Sequence, residues 1–254
     1  MNLRVAAWWL LALLLLPLLL PMAMRTRRRA LRLAPAQGPQ QGLAGAAYGG
    51  PALRLVLVGE STVAGVGVAC QSQALVGQLA QALAVQHSRP VAWQACGENG
   101  ITAGQAQQRL LPQALAASAD IHLLVFGVND TTHLSSLRSW HQAMRTMTQA
   151  LQAQSAQVAF TAVPPLQHFS ALPWLLRRVL GLRGAILDGQ LRVLAQETGA
   201  RYCPVELEFA ADYLACDGYH PSALGYQRWA AGLAPQLLTP RQPQLLAARL
   251  QVFD

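Results

Sequence analysis

The sequence predicts an α/β fold: a five-stranded parallel sheet between two layers of helices (α/β/α), flavodoxin-like in layout, with one transmembrane helix ahead of it. Three observations carry that expectation. The runs Leu53–Val58 (LRLVLV) and Ile121–Val128 (IHLLVFGV) are aliphatic almost throughout, as in strands buried on both faces of a parallel sheet. Segments with apolar residues at helical spacing lie between such runs, so strands and helices alternate along the chain. Val5–Met24 is a stretch of 20 residues without a charge, long enough to cross a bilayer.

In that first stretch, Trp8 and Trp9 suit an interfacial belt, and Pro17 and Pro21 would kink a membrane helix without forbidding it. A cleaved signal peptide has a shorter apolar region with a small-x-small site close behind it. Here Arg25–Arg29 (RTRRR) follows instead, and Ala34-Pro35-Ala36 lies beyond the arginines with a proline in the middle. An uncleaved anchor over residues 1–33 is the expectation. Arg4 precedes the span, whereas Arg25, Arg27, Arg28, Arg29 and Arg32 follow it. For a bacterial source, the positive-inside rule then puts the domain on the cytoplasmic side of the inner membrane. A periplasmic or secreted location is the alternative if the segment is cleaved. Residues 34–51, rich in Gly, Ala, Gln and Pro, read as a linker. Removing residues 1–32 is expected to release a soluble, active domain.

The domain spans residues 52–240, with a tail at 241–254. After the strand at Leu53–Val58, Gln73–His87 has helical periodicity and Val91–Cys96 reads as a strand. Ala103–Ala117 is again helical, followed by the buried strand Ile121–Val128. Leu137–Gln154 is a helix, and Gln157–Val163 a strand ending at Pro164-Pro165. Pro173–Gly199 is helical with a break expected at Gly181. Arg201–Val205 is a short strand, and Ser222–Leu238 the closing helix with Ser222 as its cap.

Charge excludes one class of function. All 19 basic residues are Arg, and the formal net charge is +8. The first 32 residues hold six of those Arg and no acid, which leaves 13 Arg against 11 acids in the remainder. The basicity belongs to the N-terminus and does not form a nucleic-acid groove. Cys70, Cys96, Cys203 and Cys216 lack CxxC or zinc-finger spacing and read as isolated thiols. No metal or cofactor motif is present: Gly65-Val66-Gly67 lacks the third glycine of a dinucleotide loop, and there is no Walker lysine. Glu206, Glu208 and Asp212 read as a solvated acidic turn. His87, His122, His133, His141 and His168 have no carboxylate partner in sequence and read as packing or surface residues. No motif sets the oligomeric state.

Four short segments stand at strand ends or before the last helix: Gly59-Glu60-Ser61, Gly97-Glu98-Asn99-Gly100, Gly127-Val128-Asn129-Asp130, and Asp217-Gly218-Tyr219-His220-Pro221. In an open α/β sheet they converge at one edge, where ligands bind. Together they hold the parts ester hydrolysis requires. Ser61 needs a base, and His220 can take its proton. Asp217, three residues earlier, can accept from the other nitrogen of His220. The amides of Ser61 and Gly100 and the side chain of Asn129 can donate to an oxyanion. The serine is not in a Gly-x-Ser-x-Gly elbow, which excludes the α/β-hydrolase arrangement.

With these blocks in this order, the region Arg54–Leu238 resembles the SGNH (GDSL-type) hydrolases. Gly59-Glu60-Ser61 matches the family's Gly-Asp-Ser block, Gly100 its second-block glycine, Gly127–Asp130 its Gly-x-Asn-Asp block, and Asp217–His220 its Asp-x-x-His block. Glu60 departs from the usual Asp. The resemblance implies a three-layer SGNH fold and a metal-free serine hydrolase. Ser61, Asp217 and His220 are then catalytic, and Ser61, Gly100 and Asn129 form the oxyanion hole. A membrane-anchored esterase is expected, acting on lysophospholipids or short acyl esters. The alternatives are a carbohydrate O-acetylesterase and an inactive membrane-tethered binding module. Phe169–Leu182 (FSALPWLLRRVLGL) is a second candidate membrane contact: either a core helix on the sheet or an interfacial segment carrying Trp174.

Overall fold

The computed structural model describes residues 3–154, 156–204 and 210–237. The expectations for Val205, Glu206, Glu208, Leu238 and the tail 241–254 fall outside them.

The sheet is built from β1 (Gln41–Ala44), β2 (Leu53–Gly59), β3 (Val91–Gly97), β4 (Ile121–Val125), β5 (Gln157–Thr161) and β6 (Arg201–Cys203). Their order across the sheet is β1-β3-β2-β4-β5-β6. The five expected strands are all present and parallel. Their order reverses at β2, which makes the carboxyl ends of β2 and β4 the place for a ligand. The correction is β1, a sixth and antiparallel strand on the edge of β3, drawn from a segment expected to be linker. Four residues, Gln-Gly-Leu-Ala, with no β-branched or aromatic side chain, carry no strand signal of their own. β3 supplies the pairing.

The period of two along each strand explains the continuous apolar runs. Val56 and Val58 point to one face with Leu124, Val158 and Phe160. Leu55 and Leu57 point to the other with Leu123, Val125 and Ala159. The second face is covered by α3 (Leu75–His87) and by the closing helix at Ala223–Leu237, which pack on each other. Ser222 Oγ accepts from the amide of Gly225 at 3.1 Å, the expected cap. The first face is covered by α4 (Ala103–Arg109), α5 (Leu111–Ala116), α7 (Leu137–Gln152) and α8 (Trp174–Thr198). A one-turn helix, α6 (Val128–Thr132), follows β4; the closing helix is α9.

Three local expectations change. The helix expected at 103–117 is two, because Pro112 in the first turn of α5 has no amide to continue α4. β4 stops at Val125 because Gly127, at φ +127°, turns the chain into α6. α8 is not broken at Gly181. That glycine brings the helix against the turn at Leu166–His168, where a Cβ would meet Gln167 Oε1 at 2.6 Å.

The N-terminal expectation also changes. Val5–Met24 does not form one membrane helix. It is divided between α1 (Leu3–Leu14) and α2 (Leu16–Arg29), bent by 80°, and no single helix among the described residues is long and apolar enough to cross a membrane. Pro17, in the first turn of α2, cannot donate to the carbonyl four residues back, and its ring crowds that turn. The pair packs on α8. Trp8 is buried and its Nε1 donates to the carbonyl of Val179 at 2.8 Å. The Arg183 guanidinium lies 4.8 Å from the centroid of the Trp8 ring and donates to the Ser135 carbonyl. Trp8 and Leu19 thus belong to the domain's own core, unlike a detachable anchor.

Candidate active site

The site is assembled from loops that leave the sheet at its carboxyl edge. β2 ends at Gly59, whose missing side chain allows the strand to pass the Val125 carbonyl; a Cβ there would lie 2.4 Å from it. Glu60 and Ser61 follow and are both buried. The amide of Glu60 donates to Val125 O at 3.2 Å, and the Ser61 carbonyl accepts from Val66 at 2.9 Å, so the turn carrying the serine is pinned at both ends.

Asp217 and His220 stand on a tight turn that opens α9. Asp217 Oδ1 accepts from the amides of Tyr219 at 2.9 Å and His220 at 3.0 Å, while Oδ2 accepts from His220 Nδ1 at 2.6 Å. Gly218, at φ +65°, makes the turn possible. Burial alone would raise the Asp217 pKa, but the hydrogen bonds from the His220 ring and the two amides outweigh it and hold the carboxyl below its usual range. With Nδ1 committed to Asp217, Nε2 is the nitrogen free to act as base. Ser61 and His220 line one apolar pocket of about 60 Å³, with Phe126, Pro164, Phe169 and Trp229 among its walls. Among the described residues no hydrogen bond joins the serine and the histidine, as is common before substrate binds.

Asn129 lies in the first turn of α6. Its Nδ2 donates to Ile101 O at 3.0 Å, which ties it to the loop holding Gly100. Gly100 is exposed at φ +84°. Among the described residues the second hydrogen of the Asn129 amide has no acceptor. Asn129→Ala is expected to lower kcat by about 10²–10³ with little change in KM, since an oxyanion donor acts mainly in the transition state. Steady-state kinetics check this, and a change confined to KM would make Asn129 a substrate-binding group instead. Among the other histidines, His122 is fully buried in β4, and His133 Nδ1 lies 2.9 Å from Asn129 O.

The residue whose part the sequence concealed is Glu60. Its carboxyl is held beneath α6, with the amide of Gly127 donating to Oε1 and that of Asn129 donating to Oε2 at 3.0 Å. One side chain therefore fixes the serine turn to the helix carrying Asn129. Asp130, which follows Asn129 in sequence, is buried as well and accepts from the amide of Ala103 at 2.9 Å. Burial pushes Glu60 up to about 8, against the pull of the amides that bind it and with Asp130 adding to the rise. A carboxyl whose folded pKa is raised stabilises the fold fully below its unfolded value, about 4.5, and that contribution is lost as the pH rises through about 8. The melting temperature is expected to fall between pH 5 and 8.5. In Glu60→Gln that dependence shrinks, and stability at pH 5 drops by about 1–3 kcal/mol because the new NH₂ faces an amide donor. A wild-type melting temperature flat over this range would contradict the assignment.

A three-layer α/β/α fold with these blocks at the carboxyl edge of its sheet defines an SGNH-type hydrolase. The chain belongs to the GDSL-like lipase/acylhydrolase family, whose sequence pattern matches residues 57–228. Similar solved structures include TesA, 20% identical, with the match covering 73% of this chain and 98% of that one at a TM-score of 0.59. The lipase/acylhydrolase from Enterococcus faecalis is 19% identical over 72% of this chain and 94% of its own, with a TM-score of 0.59. An acetylxylan esterase from Geobacillus stearothermophilus is 15% identical over 74% and 95%, with a TM-score of 0.55. At these identities the likeness is one of fold. No curated protein sequence matches the chain significantly.

Proposed function

We propose that the protein is a serine carboxylic-ester hydrolase working through an acyl-enzyme on Ser61. The observation that carries this reading is the 2.6 Å bond from His220 Nδ1 to Asp217 on a turn whose histidine shares a pocket with Ser61. The Ser61 hydroxyl attacks the ester carbonyl while His220 takes its proton, and Asp217 stabilises the imidazolium. The amides of Ser61 and Gly100 and the Asn129 side chain hold the oxyanion. His220 returns the proton to the leaving alcohol, and water then releases the acid by the same steps in reverse. The test is labelling of Ser61 by a fluorophosphonate, with turnover of a series of p-nitrophenyl esters of increasing acyl length. Labelling without turnover on any ester would favour a substrate outside the series, and no labelling would favour the binding-module alternative.

The substrate proposed is a lipid-like or short acyl ester. A carbohydrate O-acetylesterase is the second reading. It is favoured by the small volume of the apolar pocket, about 60 Å³, and by acetylxylan esterases among proteins of similar fold.

The membrane association proposed is interfacial. Leu10, Leu13, Leu14, Leu18 and Leu20 on the bent pair are exposed, and so are Trp174 (66%) and Leu182 on α8. Leu172, Leu176 and Val179 beside them are buried, so Phe169–Leu182 combines a core face with an outward apolar one. An element of this kind lies in the headgroup region with its arginines toward anionic lipid. The anionic cytoplasmic leaflet of a bacterial inner membrane is the surface that these arginines favour. Trp174→Glu is expected to lower turnover of vesicle-borne long-chain esters by about tenfold, the effect of placing a charge where an apolar anchor enters lipid. A soluble acetyl ester and the melting temperature should be unaffected. Equal loss on both substrates with a lowered melting temperature would make Trp174 a packing residue only.

A further inference from the structure

A second cavity opens beside the apolar pocket. It is a groove of about 760 Å³ between the N-terminal segment and the turn carrying the catalytic histidine. Arg25, Arg29 and Arg32 line one side, and Asn99, Asp217 and His220 line the other. Arg25 and Arg29 are four residues apart on α2, so they project from one face of the helix, and Arg32 follows just beyond its end. Like charges at that spacing repel. Among the described residues none of the three has a carboxylate within ion-pair distance, whereas Arg54, Arg109, Arg145 and Arg192 each do. Asp217, ionised and held by His220 and the amides of its own turn, offsets one of the three charges and leaves the lining net positive. The end of the α2 dipole accounts for basic residues in its last turn. It does not account for their lining the same groove as the catalytic histidine.

The two cavities divide the substrate. His220 lines both, while Ser61 lines only the apolar one. In acylation the bond from the carbonyl carbon to Ser61 Oγ forms and the bond to the alcohol oxygen breaks. The serine proton passes through His220 Nε2 to the departing alkoxide. The departing oxygen therefore lies within hydrogen-bond reach of Nε2 beside Ser61, and the rest of the alcohol half extends past His220 into the groove that the same histidine lines.

Resting on the serine-esterase reading above, we propose that this groove is a subsite for an anionic, phosphate-type group on the alcohol half of the ester. Phosphate fits three guanidinium groups because each offers paired N–H donors to adjacent oxygens. The N-terminal segment thereby contributes to substrate selection as well as to packing.

The test compares hexanoyl-glycerol 3-phosphate with hexanoylglycerol, both below the concentration at which they aggregate, using the full-length protein. No bilayer is present, so membrane docking cannot produce a difference. Wild type is expected to favour the phosphate ester in kcat/KM by about tenfold or more, the scale of charge-assisted hydrogen bonds. In the double variant Arg25→Gln/Arg29→Gln that ratio should fall toward unity, with partial retention in Arg25→Lys/Arg29→Lys. Arg32→Gln, outside the helix, gives an independent reading if the double variant is destabilised. Inorganic phosphate is the third arm. Competitive inhibition that weakens in the double variant identifies a site open to free phosphate, whereas a substrate preference without it identifies the esterified headgroup as the ligand. A ratio near unity in wild type, or one unchanged by the substitutions, overturns the subsite while fluorophosphonate labelling of Ser61 leaves the esterase standing. Loss of both labelling and turnover would mean that the esterase reading itself, and the subsite with it, is wrong.

Discussion

Ser61→Ala is expected to abolish fluorophosphonate labelling and to lower kcat by about 10³-fold or more, because nucleophile, base and orienting acid act as a unit. The change removes one oxygen from a residue that is already buried at the end of β2, so the fold should be retained. What activity remains would come from the oxyanion donors and from binding alone. His220→Ala should cost a similar factor, since an unassisted serine hydroxyl is as inert as a missing one. Mass spectrometry of the labelled protein, with kcat on a p-nitrophenyl ester, reads both outcomes. Turnover of Ser61→Ala within a few-fold of wild type would remove the covalent mechanism altogether.

The parts of the site legible in the sequence are those in which a residue's partner is close along the chain or its position follows from a strand end. Asp217 and His220 are three residues apart, and their turn is closed by their own amides. Ser61 and Asn129 follow apolar runs whose length and composition mark strands, and parallel strands put such ends on one edge. Glu60 differs. Its partners, Gly127 and Asn129, are 67 and 69 residues away, and nothing local distinguishes a carboxyl that grips two amides from one that faces water. In the sequence it reads only as a departure from Asp.

The misjudged elements share a cause: tertiary contact overriding a local signal. β1 has no apolar pattern and exists because β3 has an edge to pair. Gly181 resembles a helix breaker, but its lack of a side chain serves the close approach of Gln167 to α8. The stretch Val5–Met24 has the composition of a membrane span. Pro17 bends it, and Trp8, Val179 and Arg183 then fix it to the domain through a hydrogen bond and a cation–π contact. Composition reports how apolar a segment is, and the proline with its distant partners decides whether it stays straight.

Asp217→Asn is expected to lower kcat by about 10²-fold near neutral pH, less than His220→Ala, because the carboxylate orients and stabilises the imidazole without itself transferring the proton. The substitution is a close isostere. Its oxygen can keep both amide bonds now made by Oδ1, at 2.9 and 3.0 Å, so the turn should hold. The loss is confined to the other atom. Oδ2 accepts from His220 Nδ1 at 2.6 Å, and an NH₂ in that place donates instead. The ring is then driven to the tautomer with its hydrogen on Nε2, which cannot accept the serine proton. The pH dependence separates this residue from Glu60. The Asp217 carboxyl is held below its usual range, so its contribution to stability is present above the unfolded carboxylate pKa and is lost as the pH falls through its lowered folded value. In Asp217→Asn, the acid limb of the stability profile should lose that component, while the loss at higher pH assigned to Glu60 persists. Fluorophosphonate labelling rates and melting temperatures across pH measure the two effects on one variant. If Asp217→Asn labels as fast as wild type at neutral pH, His220 must take its orientation from another group, and Asp217 serves only to close the turn.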